Sequence, residues 1–441
     1  MAQEFETQVR ATIEDVENAP VAPATERRAR HVLLDTLGCA LAGLRAEPLR
    51  ALSARYSAVE TGTVRVPGLA PLPAASAAGL LAIGACWDEA CEGHADAHGR
   101  PGLHAAPAVL ALGSAYRLDL AGAIKALVTG YEVGARAGAV LRIRPGMHVD
   151  GSWGLFATTA AAACVFGVAP AGILGAVRSA ACQVPFSLYL PITTGSFARN
   201  TYLPHAQAAG LQLAHAAAAG ILGPAGAIDV YAEKALGIAD LPQSAAPTAR
   251  MIETGYLKAY AGVKHAHYPV AAVLKALRDQ PMQPADIDKI VIRIYREAIT
   301  YCSNRAPVEP IQAQFSMSYA VAAAIVLGDL GPQAYEGRSL SDPTIRRLEA
   351  SVQIEEAPEL SAANKRGAEV ILMHDGKKLA SAQVDRVLGD VTQPFDDDAV
   401  RRKFEAYAAP TLGGDAAGIA DHFLNAAGTS PLFPAPSQTA V

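Results

Sequence analysis

Apolar residues fall into long Ala- and Leu-rich blocks up to about residue 268. Gly and Pro break these blocks at intervals of roughly 10 to 20 residues, the ordinary length of a helix. The pattern predicts helices over Thr25–Leu44, Ala74–Trp87, Pro107–Tyr116, Leu120–Val140, Gly154–Phe166, Pro170–Gln183 and Gln207–Ile221. Many are apolar nearly all round, so they belong in a core rather than on a surface. The period changes after Pro269. Asp288–Tyr295 is a β-branched run with partial two-residue alternation, which predicts a strand; a helix over Ser316–Leu327 and a strand near Ser351–Glu355 follow. Val370–Met373 and Lys378–Val384, joined through Asp375-Gly376, read as a β-hairpin. Helical character returns at Asp398–Ala408 and Ala416–Ala426, and the Pro- and Ser-rich tail Ser430–Val441 is expected to fray. The fold class is therefore mainly α: a large all-α domain over 1–268, completed by 396–441, and a smaller α+β domain over 269–395.

With 51% hydrophobic and 18% charged residues the chain has the material for a large core and too little charge to be disordered. Its 37 basic and 42 acidic residues leave a net charge of −5 without a long basic run, which argues against a nucleic-acid partner. The opening MAQEFETQVRATIEDVE is charged and lacks the apolar core of a secretion signal. The cysteines at 39, 86, 91, 164, 182 and 302 form no Cys-x-x-Cys pair, so reduced thiols in a cytoplasmic protein are expected. Trp153 to Val177 is uncharged and long enough to span a bilayer. Gly167 suits the end of one helix and Pro170 the start of the next, however, which predicts two buried helices and no membrane contact.

Candidate chemistry sits where polar residues break the apolar pattern. Residues 87–104 hold four acids, three His and one Arg between two apolar helices, including Asp88, His98, Arg100 and His104. Such a segment is a solvated loop or the mouth of a pocket. His94 and His98, four apart, invite a metal reading with Asp88, Cys91 and Glu92, but the spacing matches no recognised site and glycines interrupt any helix that would present them. His148 lies just before an apolar helix whose N-terminus suits a carboxylate, with Asp150 or Ser152 as caps. Arg199 opens another helix, and its guanidinium can bind a carboxylate through two N–H groups. At the proposed domain junction, Lys264-His265-Ala266-His267 should turn one of its two histidines inward. There is no Walker A, Rossmann turn, Gly-x-Ser-x-Gly elbow or kinase set. The remaining polar inventory suits a cofactor-free enzyme that moves a proton beside a carboxylate.

Six stretches, in order, resemble the MmgE/PrpD family: HVLLDTLGCALAG, GYEVGARAG, GMHVDGSWGLFATTAAAA, RNTYLPHAQAAGLQLAHAAAAGILGP, KAYAGVKHAHYPVAAVL and QFSMSYAVAAAI. That family includes 2-methylcitrate dehydratase, cis-aconitate decarboxylase and iminodisuccinate epimerase. The resemblance implies an all-α domain with an α+β lid, a homodimer, and a cofactor-free pocket between the domains. By position, His148 and His267 are similar to family histidines. The family's Asp-Phe-Asp-Asp-Thr reads Cys86-Trp87-Asp88-Glu89-Ala90 here, and its His-Pro-Ser reads Arg100-Pro101-Gly102, with His104 one turn on. Arg199 stands where those members place a Lys, and an Arg can hold charge but not exchange a proton near neutral pH.

Together these readings predict proton abstraction alpha to a carboxylate of a small di- or tricarboxylate. His148, His267, His104 and Asp88 are the candidate acids and bases, and Arg100, Arg199, Lys264 and His98 the substrate-binding residues. A β-leaving group makes the outcome a lyase; without one, and with a second acid on the opposite face, it is an epimerase. A non-catalytic organic-acid-binding protein and a metallohydrolase are the readings from other classes.

Overall fold

The computed structural model describes residues 2–434 except 243–245, 247 and 364. Its helices begin with α1 (Ala2–Asn18), α2 (Pro23–Gly43), α3 (Glu47–Val59) and α4 (Ala74–Trp87), and continue with α5 (Pro101–Tyr116), α6 (Leu120–Val140), α7 (Gly154–Val165) and α8 (Pro170–Ala181). The apolar blocks become a packed bundle because their many Ala and Gly residues let axes approach closely. A Cβ added at Gly130 would sit 2.6 Å from the Ala157 carbonyl oxygen, and one at Gly84 2.6 Å from that of Ala40. The uncharged run divides as expected, α7 ending before Gly167 (φ 69) and α8 starting at Pro170. No helix among the described residues is long and apolar enough to cross a membrane.

One helix departs from its predicted bounds. α5 begins at Pro101, not Pro107, and carries Pro107 inside it. An internal Pro removes the hydrogen bond that the Leu103 carbonyl would accept; on the next carbonyl, that of His104, Thr158 Oγ1 (2.9 Å) and Gln207 Nε2 (2.8 Å) both donate.

The second half builds a four-stranded sheet, order β2-β1-β3-β4, from β1 (Lys289–Ile294), β2 (Val352–Glu356), β3 (Ala368–His374) and β4 (Lys377–Val384). β1 and β2 run parallel and the other pairs antiparallel. The Asp-Gly turn has both central residues at positive φ (45° and 72°), as a two-residue hairpin of right-twisted strands requires. Helix His267–Asp279 packs on β3 and β4 and against Met317–Leu327. The molecule is thus mainly α with a smaller α+β region.

Helices Asp397–Leu412 and Asp415–Asn425 return to α2, where Phe404 lies over Gly38. The tail does not fray at its start. Leu120 N–H donates to Ser430 O, Leu432 N–H donates to Leu118 O, and Leu432 is buried against Gly113. The remainder of the predicted frayed tail, 435–441, lies outside the described residues.

Candidate active site

The polar segment after α4 folds into a short loop pinned from four sides. Gln314 Nε2 donates to Trp87 O (2.8 Å), Lys403 Nζ to Ala90 O (2.7 Å), Gly262 N–H to Asp88 O (3.0 Å), and Gly93 and Tyr256 exchange backbone bonds. These anchors hold Glu89 at a φ of 52°, a left-handed conformation unusual for a side chain of its size. The result aims a buried carboxylate at a cavity of about 710 Å³, bounded by the helical bundle on one side and the α+β region on the other.

The helical wall is a compact ion cluster. Glu89 Oε1 meets Arg199 and Arg100 (3.1 Å), and its Oε2 meets Lys258 Nζ (3.1 Å). Asp150, from the 3-10 turn Val149–Gly151, meets Arg100 and Arg199 (3.5 Å). Burial alone would raise Asp150, but Arg100, with His148 and His104, outweighs it and holds the carboxyl well below its ordinary value. Each guanidinium also donates to Cys86 Sγ, Arg199 at 2.8 Å and Arg100 at 3.3 Å.

His148 sits on this cluster against the rings of Tyr189 and Tyr202. The Asp150 N–H faces its Nδ1 (3.2 Å) and Arg199 Nε its Nε2 (3.4 Å). A neutral ring has one acceptor nitrogen and can take one of these N–H groups, whereas a second ring proton would leave it none; burial with Arg100 nearby lowers the pKa further against the pull of Asp150. His148 is a neutral imidazole held as a base. Lys258 is the opposite case: burial, then Arg100, brings its ammonium down to about 7. Its three protons go to Glu89 Oε2, Glu89 O (2.6 Å) and Gly262 O (3.1 Å).

The other wall is built differently. Lys264 pairs with Asp390 (2.5 Å) and lies over the Tyr256 ring (4.9 Å to its centre). His265 Nδ1 contacts Tyr295 Oη (2.7 Å), its ring stacks on Tyr301, and burial with Arg366 and Lys264 pushes its pKa down to about 3. Arg366 completes this side.

Of the eight sequence-predicted site residues, His148, Arg100, Arg199, Lys264 and His98 line the cavity, His98 at its exposed rim. Asp88, His104 and His267 do not. Asp88 is buried behind the loop, its carboxyl raised to about 7 by burial. His104 lies beneath Gly154 and Trp153, brought to about 4 by burial. His267 is fully buried beside Tyr260, and it is His265 that faces the cavity. Glu89, Lys258, His265 and Arg366 also line the cavity but were not chosen from sequence. Lys258 stood at the edge of a noted cluster, and nothing local marked Arg366.

The metal reading meets a different donor set. Among the described residues Cys86, Glu89 and Asp150 bring donor atoms within 4.8 Å of one another. Arg100, Arg199 and Lys258 already neutralise that set, so a cation would have to displace protein cations to enter. His94, from the pair weighed earlier, has Nε2 bonded to Thr254 Oγ1 (3.0 Å) and Nδ1 accepting from Ala97 N–H (3.4 Å).

Comparison with known proteins agrees with this architecture. The MmgE/PrpD N-terminal domain matches residues 8–242 and the MmgE/PrpD C-terminal domain residues 260–424, while a search of curated proteins finds no match. Both domains are matched in order, on a mainly helical fold with a small mixed sheet, and the chain belongs to the MmgE/PrpD family.

Proposed function

We propose that the protein is a dehydratase-like lyase that removes a proton alpha to a carboxylate of a small di- or tricarboxylate. The observation that carries this reading is the meeting, in one cavity, of a neutral imidazole and an ammonium with a pKa brought down to about 7. A base and an acid poised on either side of neutrality are what abstraction followed by departure of a β-group requires. His148 takes the alpha proton, and Lys258 donates to the leaving group. Arg199, beside His148, stabilises the enolate-like charge that develops on the carboxylate. No resident cofactor enters this scheme.

A second reading, epimerisation, has its own support. His265 is also a neutral imidazole in the cavity wall, on its own aromatic platform, so two bases are available for one substrate carbon. Proton NMR of a di- and tricarboxylate panel incubated in D₂O decides between them. Vinyl signals establish the lyase, and loss of an alpha-proton signal without olefin establishes the epimerase. An unchanged panel with retained ligand binding overturns both in favour of a binding protein.

A further inference from the structure

Seven cations line the cavity, and most of them are already committed. Arg100 and Arg199 are held by Glu89 and Asp150, Lys258 by Glu89, and Lys264 by Asp390. Arg142 and Arg144 are exposed at the mouth, where water solvates them. Arg366 is the exception. It is half-buried, it lines the cavity from the segment leading into β3, and no carboxylate of the described residues lies within 4 Å of its nitrogens. The groups that act on its charge are the phenols of Tyr295, Tyr268 and Tyr256 and the exposed carboxylate of Glu297, which also lines the cavity. Tyr268 in turn donates to Asp390 Oδ2 (3.3 Å), the carboxylate that holds Lys264. No close carboxylate cancels the charge of Arg366. A guanidinium has five N–H donors, and a neutral phenol takes up only part of that capacity.

Tyr256 lines the same cavity as Arg366 and Arg100, and both guanidiniums act on its phenol. An acid whose reacting end meets His148 therefore has Arg366 available in the lining of the same cavity. We propose that Arg366 is the specificity-determining residue that binds a second, distal carboxylate of the substrate, so that the site selects di- and tricarboxylates over monocarboxylates. This rests on the proposed carboxylate chemistry for the position of the reacting end, and it assigns to the α+β region a recognition role the helical wall cannot fill. The helical guanidiniums are shared with Glu89 and Asp150 and serve the reacting end, whereas Arg366, with no carboxylate within 4 Å, retains a fork that matches a second carboxylate.

Titration calorimetry with malate and with α-malamate, the amide of the carboxyl on its hydroxyl-bearing carbon, tests the assignment. Loss of a methylene proton and of the hydroxyl makes that carboxyl the distal one. The two ligands share shape and differ in the distal charge. The wild-type protein is expected to bind malate on the order of 10-fold or more tighter than the amide, the usual worth of a charge-assisted hydrogen-bond pair. Arg366→Gln should weaken malate by about that factor and leave the amide unchanged, which abolishes the discrimination. Arg366→Lys, which keeps the charge but loses the fork, should fall between; it also serves if the Gln variant fails to fold. Malate binding unchanged in either folded variant, a wild-type protein indifferent to the amide, or no binding of either probe would overturn the proposal. Deuterium exchange at the malate methylene, the carbon that loses its proton in the proposed elimination, is followed on the same samples and reads the catalytic proposal separately. Arg366-dependent discrimination without exchange supports this assignment and removes the lyase reading. Exchange with unaltered discrimination in Arg366→Gln does the reverse.

Discussion

The two walls of the cavity handle charge in opposite ways. On the helical wall three cations and two carboxylates interlock within a few ångströms, all nearly or fully buried. On the α+β wall Arg366 stands among phenols and the exposed Glu297 with no carboxylate within 4 Å, and Lys264 has a single close carboxylate. A buried cluster that satisfies itself is rigid and can tune the pKa of its members, but it has little capacity left for a ligand. A cation held by neutral hydroxyls is less stabilised and remains available. The comparison teaches that a count of basic residues in a pocket overstates what the pocket can bind: the charges already answered by protein carboxylates have to be subtracted first.

The largest expected effect comes from breaking the helical wall's chemistry. His148→Gln and Lys258→Met should each lower turnover by about 10²–10⁴-fold, the usual contribution of a positioned acid or base, with ligand affinity little changed. In the wild-type protein the rate should rise with pH through a value below the ordinary 6.5 of histidine as His148 loses its proton. It should fall above about 7 as Lys258 loses the proton it donates. Lys258→Met should abolish the alkaline limb in whatever activity remains, which a pH–rate profile would show. An alkaline limb that persists would remove Lys258 as the acid.

Next in size is the integrity of that wall. Glu89→Gln leaves Arg100, Arg199 and Lys258 facing Asp150 alone, and removing one partner of a buried ionic cluster costs about 3–5 kcal/mol. Denaturant unfolding should show that loss. A cost within the range of a surface substitution would mean that water or rearranged side chains replace the carboxylate.

Glu92 sharpens the comparison from behind the helical wall. Its carboxyl accepts from Leu103 N–H (3.0 Å) and from Tyr131 O–H (3.3 Å), yet burial raises it to about 7. A group whose folded pKa is raised adds stability fully below its unfolded value of 4.5, and that contribution is lost as pH rises through about 7. Glu92→Gln keeps both contacts by turning its amide and carries no charge. Relative to wild type it should gain on the order of 1–3 kcal/mol at pH 8 and nothing near pH 4. Thermal melting at the two pH values measures the difference. The smallest effect belongs far from the cavity, where Arg293 pairs with Glu369 (3.0 Å) on a partly exposed strand face. Arg293→Ala should cost less than about 1 kcal/mol.

Much of the fold was legible because it follows from local periodicity. The apolar blocks of α4, α6, α7 and α8, the break at Gly167-Val168-Ala169-Pro170, and the Asp-Gly hairpin each depend on neighbours a few residues apart. The start of α5 was not, since Pro101 and Pro107 both suit the first turn of a helix and only the packed molecule carries the helix through the second. The same division runs through the site. His148, Arg100 and Arg199 stood out because each interrupts an apolar run. Glu89 did not stand out from Asp88, because only the pinned loop, at positive φ, decides which carboxylate faces the cavity.

His265 and His267 make the limit plain. Sequence alone determined that one of them faces inward, since two residues of a helical turn rotate the chain by roughly 200–240° and place the pair on opposite sides. It could not determine which, because that depends on how the turn Lys264–Ala266 is set against Tyr295 and Tyr301, residues some thirty positions away. Arg366 carries no local mark at all. Its availability is a statement about which carboxylates did not reach it, and only the tertiary structure brings those distances into being. Periodicity is a property of the chain, whereas the cancellation of charges is a property of the packed molecule.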